Sequence, residues 1–307
     1  MVEVAPGVQV LCQCHWQAER TRALTLLIVH GLEGSSESQY MLGTTAKALR
    51  AGMNVIRYNQ RNCGGTDALA PVLYHSGLSA DIDAVAREII VRDRVSQLAL
   101  VGFSMGGNLV LKLAGEWGEE ARPELRAVAA CCPALDLAAS ADALHAPSNR
   151  LYETYFLWAL GRRMRQKARL FPGHFDLARL EGIRSLREFD DRVTAFYCGF
   201  AGADDYYDRA SAAHVVGKIS VPTLILHAAN DPFIRITPET RQKVLANRHI
   251  KFVEAEDGGH CAFIGATSSN GEKAADGTIG SPDDGYWAET EIVNFLNPYR
   301  PSPVAGE

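Results

Sequence analysis

Short apolar runs bounded by polar or glycine-containing breaks recur along this chain, at Val8 to Trp16, Leu24 to Val29, Met53 to Tyr58, Gln97 to Val101, Ala127 to Cys132, Pro222 to His227 and Ile250 to Ala255. Runs of this length with little alternation predict strands buried on both faces. Segments of helical periodicity separate them: Gln39 to Ala51, Leu78 to Arg94, Met105 to Trp117, Pro238 to Asn247 and Tyr286 to Leu296. In the third of these, Leu109 and Leu113 stand four apart and Val110, Ala114 and Trp117 repeat at four and seven, the spacing of one helix face. Strands alternating with helices predict an α/β fold, a mostly parallel central sheet with helices on both faces and ligands bound beyond the carboxyl ends of the strands.

Between Leu135 and Lys218 the alternation stops, and roughly eighty residues of helical, aromatic-rich sequence intervene, far more than a crossover needs. The expected organisation is one core built from residues 1–134 and 219–307 with an inserted helical cap over 135–218. A chain of 307 residues with 47% hydrophobic content can bury such a core without a second independent domain. The stretch Ala266 to Gly285, rich in Gly, Ser and Asp and nearly devoid of apolar residues, predicts an exposed, mobile loop. No internal repeat is visible.

The chemistry enters at Gly102-Phe103-Ser104-Met105-Gly106, which falls where the strand ending at Val101 gives way to the helix beginning at Met105. A serine on so sharp a corner is presented as a nucleophile, with flanking glycines admitting the strained turn. The pattern alone recurs by chance; strand, turn and helix in sequence give it weight against a reading in which Gly106 and Gly107 merely permit close packing. A serine hydroxyl needs a base, and the base needs an orienting group. His260, after Gly258 and Gly259 and following the strand through Ala255, is the histidine best placed as base; otherwise it is a surface loop residue. Asp231 and Asp136 each follow a strand and both are candidates for the acid, although Asn230-Asp231-Pro232 is also ordinary turn chemistry. The oxyanion of a tetrahedral intermediate needs fixed donors, for which the Met105 N–H and, from His30-Gly31-Leu32-Glu33-Gly34-Ser35-Ser36, the Leu32 N–H are candidates. That glycine turn can equally serve a helix start capped by Ser35 or Ser36, and His30 reads as a structural hydrogen-bonding residue.

Charge and cysteine content narrow the partners. The formal net charge of −5 leaves no broad basic surface for nucleic acid, so small or apolar substrates are expected. Glu3, Glu19, Arg20 and Arg22 interrupt the first thirty residues, and neither a signal-peptide core nor a membrane-spanning helix is expected there or elsewhere. Seven scattered cysteines do not form a disulfide framework in a chain this long, which points to a reducing, cytoplasmic location. Cys12-x-Cys14 alternates as a strand does and lacks a second ligand pair, so no metal is expected there. Asp190, Asp191, Asp204 and Asp205 read as solvated loop carboxylates and helix caps.

Taken together, these residues resemble the α/β-hydrolase superfamily and, within it, the YheT-like branch also called the AB hydrolase 4 family. The resemblance covers about Leu24 to Leu296. It rests on His30-Gly31-Leu32-Glu33-Gly34, Arg61-Asn62-Cys63-Gly64-Gly65, Gly102 to Asn108, Phe189-Asp190-Asp191 with Thr194, Gly199-Phe200 with Tyr206-Tyr207, and Gly258-Gly259-His260. It implies an α/β-hydrolase fold with an inserted helical cap and a triad of Ser104, Asp231 and His260, since the order Ser, Asp, His along the chain is that of the superfamily. It also implies a cofactor-independent serine carboxylic ester hydrolase acting on small or medium acyl esters or lipid esters. An acyltransferase or thioesterase with the same triad, and a catalytically silent ligand-binding version of the fold, are the alternatives. Asn62 stands where glycine is usual in this branch, and the turn is expected to survive because asparagine tolerates positive φ. In the cap, Tyr155, Phe156 and Trp158 are candidates for an acyl pocket. The apolar run Leu151 to Leu160 leads into Arg162, Arg163, Arg165, Lys167 and Arg169, which could lie on an anionic membrane, although packing within the cap is the simpler expectation.

Overall fold

The computed structural model describes residues 1–265 and 284–301. The expected loop Ala266 to Gly285 therefore falls almost wholly outside the described residues. Eight strands form one sheet: β1 (Val2–Ala5), β2 (Val8–His15), β3 (Thr25–Val29), β4 (Asn54–Asn59), β5 (Leu98–Phe103), β6 (Leu125–Cys131), β7 (Thr223–Ala228) and β8 (Ile250–Ala255). Their spatial order is β1-β2-β4-β3-β5-β6-β7-β8. The pairs β1/β2 and β2/β4 are antiparallel and every other neighbour is parallel. β1 was not anticipated from the sequence, because four residues with one fully buried side chain, Val2, carry too little periodicity to stand out.

Alternate residues of the parallel strands feed two cores. Leu27, Val29, Leu100 and Val128 pack with α2 (Ser79–Arg92) and α3 (Met105–Trp117) on one face. Leu26, Ile28, Val101 and Ala129 pack with α1 (Gln39–Arg50) and, near the carboxyl end of the chain, the helix Trp287–Leu296 on the other. Coverage on both faces is why these strands read as unbroken apolar runs.

Between β6 and β7 the chain is helical: α4 (Leu137–Leu144), the long α5 (Arg150–Leu170), α6 (Leu186–Phe189), a π-helical stretch Asp190–Ala195, α7 (Phe196–Cys198) and α8 (Ala203–Ala210). Leu137, Leu144, Tyr206 and Tyr207 pack on Phe233 and Ile234 beyond β7. Leu160, Met164 and Val193 pack on Leu73 and Leu32, beyond β4 and β3. The insert thus lies over the carboxyl edge of the sheet. After β7, α9 (Pro238–Ala246) leads into β8, and the helix Trp287–Leu296 is α10. Among the described residues no helix is long and apolar enough to cross a membrane.

Candidate active site

One residue, Ser104, makes the whole turn between β5 and α3, and it does so at φ 54° and ψ −119°. The strain of positive φ is borne by the serine itself, while Gly102 and Gly106 are absent from the positive-φ residues. They are glycine for a different reason. A Cβ on Gly102 would lie 2.2 Å from the Gly106 carbonyl oxygen, and one on Gly106 would lie 2.3 Å from that of Val29. No side chain fits where strand, elbow and helix close on one another, which replaces the expectation that these glycines supply dihedral freedom.

His260 follows β8 on a loop whose Gly259 has φ 57° and whose Gly258 and Gly259 amides donate to the Asn230 side chain at 3.1 and 2.9 Å. Its Nε2 lies 2.9 Å from Ser104 Oγ and its Nδ1 2.8 Å from Asp231 Oδ2. Because a carboxylate only accepts, the proton sits on Nδ1 and leaves Nε2 to accept from the serine hydroxyl. Asp231 is buried beyond β7, and its other oxygen accepts the Phe233 and Ile234 amides at 3.1 and 2.9 Å. The Phe233 ring packs 4.4 Å from the imidazole, centroid to centroid. The rival carboxylate, Asp136, is spent elsewhere: it accepts from the Thr237 amide and from the Thr237 and Thr240 hydroxyls at the start of α9.

The loop after β3 packs directly against the elbow, so that a Cβ on Gly31 would meet Ser104 Cβ at 3.1 Å. The Gly31 amide donates to the Tyr40 hydroxyl and the Glu33 amide to the Tyr74 hydroxyl, each at 3.0 Å. The intervening Leu32 amide and the Met105 amide, first in its helix, have no acceptor among the described residues. Glu33 adopts φ 55°, and both its carboxylate oxygens meet the Arg163 guanidinium from α5, at 2.7 and 3.0 Å. Ser35 and Ser36 do not cap α1, which starts later, after Ser38. His30 is fully buried and structural, donating through Nδ1 to the Gly31 carbonyl and accepting the Gln60 amide; burial pushes its pKa down to about 4. Asn62 holds its turn at φ 68°, as anticipated, and its side-chain oxygen accepts from the buried Lys167 ammonium at 2.8 Å.

Above Ser104 a largely apolar cavity of about 110 Å³ is enclosed by the insert, with Leu32, Met105, Phe156, Leu160, Met164 and Phe233 in its wall. Of the three aromatic residues expected there, only Phe156 takes part. Tyr155 and Trp158 are 59% and 57% exposed on the outer side of α5, since apolar residues occupy both faces of this helix and periodicity does not say which face turns inward. Asp190, from the π-helical stretch, also reaches this wall, accepting from the Thr194 and Tyr207 hydroxyls; burial pushes its carboxyl up to about 6. Its neighbours act as the sequence suggests: Asp191 and Asp205 accept backbone amides, and Asp204 pairs with Arg187. Metal-ligand spacing occurs instead beside the Ser–His–Asp chain, where the sulfurs of Cys131, Cys132 and Cys261 lie within 4.8 Å of one another, as do ligand atoms of Cys132, His227 and Asp231. Asp231 is committed to His260, and the buried Cys131 thiol is pushed up by desolvation, which disfavours the thiolate a metal needs.

Comparison with known proteins agrees with this architecture. The family model described as the alpha/beta hydrolase fold matches residues 25–267. YheT of Escherichia coli (strain K12), whose name gives esterase as a provisional assignment, is 32% identical over 276 residues, covering 89% of this chain and 76% of that one. Mouse phospholipase ABHD3 is 28% identical over 241 residues, covering 78% of this chain; the chain spans 58% of ABHD3. Among solved structures, 2,6-dihydroxy-pseudo-oxynicotine hydrolase superposes with a TM-score of 0.62 at 17% identity, covering 100% of this chain and 68% of that one, a likeness of fold. The elbow at the end of β5, the sheet order and these matches agree, and the chain belongs to the alpha/beta hydrolase family, in its YheT-like branch.

Proposed function

We propose that this protein is a serine carboxylic ester hydrolase in which Ser104, His260 and Asp231 act together through an acyl-enzyme. The observation that carries this reading is the continuous path from Ser104 Oγ through the imidazole to a buried carboxylate, opening onto an apolar cavity. Ser104 Oγ attacks the ester carbonyl carbon as its proton passes to His260 Nε2, and Asp231 stabilises the resulting imidazolium. The carbonyl electrons move onto oxygen, which the Leu32 and Met105 amides hold; each such donor contributes about 10² to 10³ in rate. Collapse of the intermediate breaks the bond to the alcohol, which leaves with the proton from His260. Water repeats the sequence on the acyl-enzyme and releases the acid. Every step draws on side chains and backbone amides of this chain.

The substrate reading is an acyl ester whose apolar part enters the cavity, with the insert acting as a cap that shields the acyl-enzyme from bulk water. Relatives named phospholipase and monoacylglycerol lipase favour lipid esters among these. A fluorophosphonate probe tests the proposal. Labelling confined to Ser104, with p-nitrophenyl ester turnover that Ser104→Ala abolishes, is expected; turnover that survives Ser104→Ala, or a wild-type protein that neither labels nor turns over esters, overturns it.

A further inference from the structure

Helix α5 has two working faces. Its inner face carries Phe156, Leu160, Arg163 and Met164 against the cavity and the loop after β3. Leu151, Tyr155, Trp158, Arg162, Arg165 and Arg169 follow one another at separations of four, three, four, three and four, which stacks them in a single line on the opposite side. All six are exposed, Leu151 at 86%. Over the eighteen residue steps from Leu151 to Arg169 the line is about 27 Å long, apolar and aromatic in its first half and cationic in its second.

A water-facing helix in a single folded unit has no reason to put leucine, tyrosine and tryptophan in line, and exposed apolar patches of this kind mark contact sites. The second half of the line selects the partner. Arg162 stacks on Trp158 with its guanidinium carbon 5.1 Å from the ring, and among the described residues Arg162, Arg165 and Arg169 have no carboxylate partner. Beside the line an open groove adds Arg150 and Arg184 to Arg165. On a chain whose formal net charge is −5, this concentration of cations is local rather than a property of the whole surface. Tyrosine and tryptophan prefer the headgroup level of a bilayer, and arginines near an anionic surface each strengthen binding.

We infer that the outer face of α5 docks on an anionic lipid bilayer, lying in its surface with Leu151, Tyr155 and Trp158 seated at the headgroup boundary and the arginines on lipid phosphates. The docking needs only this face; its use, bringing lipid esters to the cavity on the other side of the same helix, rests on the ester-hydrolase reading. No part of it crosses the membrane.

Flotation of the full chain with vesicles of phosphatidylcholine, alone and mixed with phosphatidylglycerol, tests this. Binding to the mixed vesicles only, weakening as salt is raised, is expected. Arg162→Gln and Arg165→Gln should each lower partitioning about fivefold at low salt, and the double variant Tyr155→Ser with Trp158→Ser should abolish it, while hydrolysis of a water-soluble p-nitrophenyl ester is unchanged in all three variants. Absence of flotation, equal flotation with both vesicle types, or a concentration-dependent dimer that the serine variants dissolve without any vesicle binding would overturn the inference; the last would assign the face to a second copy of this chain. Soluble-ester turnover without flotation removes the docking and leaves the hydrolase, whereas flotation without turnover does the reverse.

Discussion

Glu33 and Arg163 lie 130 residues apart in sequence and form a two-point ion pair, with side chains only 4% and 12% exposed. The Tyr74 hydroxyl donates to the same carboxylate at 2.7 Å while accepting the Glu33 amide. The pair therefore clamps the residue next to Leu32, whose amide is the second proposed oxyanion donor. Glu33→Gln keeps the size and breaks the charge pairing, so kcat on p-nitrophenyl esters is expected to fall about 10- to 100-fold, within the worth of one oxyanion donor, with KM changed less. Arg163→Lys keeps charge but not the fork and should recover only part of the loss. Equal kcat for wild type and a folded Glu33→Gln protein would leave the pair a purely structural clasp.

The two aspartates separate by substitution. Asp231→Asn leaves the shape intact but favours the wrong imidazole tautomer, and turnover should fall about 10⁴-fold. Asp136→Asn should lower stability by about 1 kcal/mol, by weakening the start of α9, and leave turnover near wild type. Steady-state rates with thermal unfolding of both variants check this.

At the elbow, Gly102→Ala and Gly106→Ala each drive a methyl group into a backbone carbonyl that cannot withdraw. Both are expected to lose about 3 kcal/mol or more of stability. Gly217→Ala, whose nearest neighbour would lie 4.0 Å away, should stay within about 0.5 kcal/mol. Denaturant midpoints of the purified variants measure the difference.

Asn62→Gly removes the cost of positive φ but also takes away the oxygen that accepts from buried Lys167 and the amide that donates to the Val72 carbonyl. Losing those partners should outweigh the relief, lowering unfolding free energy by about 1 to 3 kcal/mol. A variant as stable as the parent would show the φ relief to be the larger effect.

Asp190 gives a pH signature. Its carboxyl moves from 3.8 in the unfolded chain to about 6 when buried, so the folded protein holds the extra proton between those values and loses stability as pH rises through them. Asp190→Asn lacks this penalty. The stability of the variant relative to wild type should therefore improve by about 2 kcal/mol between pH 4 and pH 7, read from denaturant unfolding at the two pH values.

How much of this was written locally in the chain depended on how local its cause is. Ser104 and its glycines were legible because the close approach of strand and helix leaves a mark within five consecutive residues. His260 and the loop through Leu32 were legible from their places after strands. Asp231 was preferred to Asp136 only through the chain order of the superfamily, since what separates them physically is that Thr237 and Thr240 occupy Asp136. Tyr74 and Arg163 on Glu33 left no local trace, because they reach it from 41 and 130 residues away, Arg163 from the insert. Tyr155 and Trp158 were misread for a related reason: on a helix apolar on two sides, the inward side is fixed by what it meets.

The two-sidedness of α5 has a further consequence. Arg163 on the Glu33 clamp, Met164 in the cavity wall and Trp158 on the outside belong to one rod of twenty-one residues. Substitutions can retune what it touches within or outside independently, but any tilt of the rod shifts all three together, so the cavity wall, the Glu33 ion pair and the exposed face are mechanically coupled through one helix.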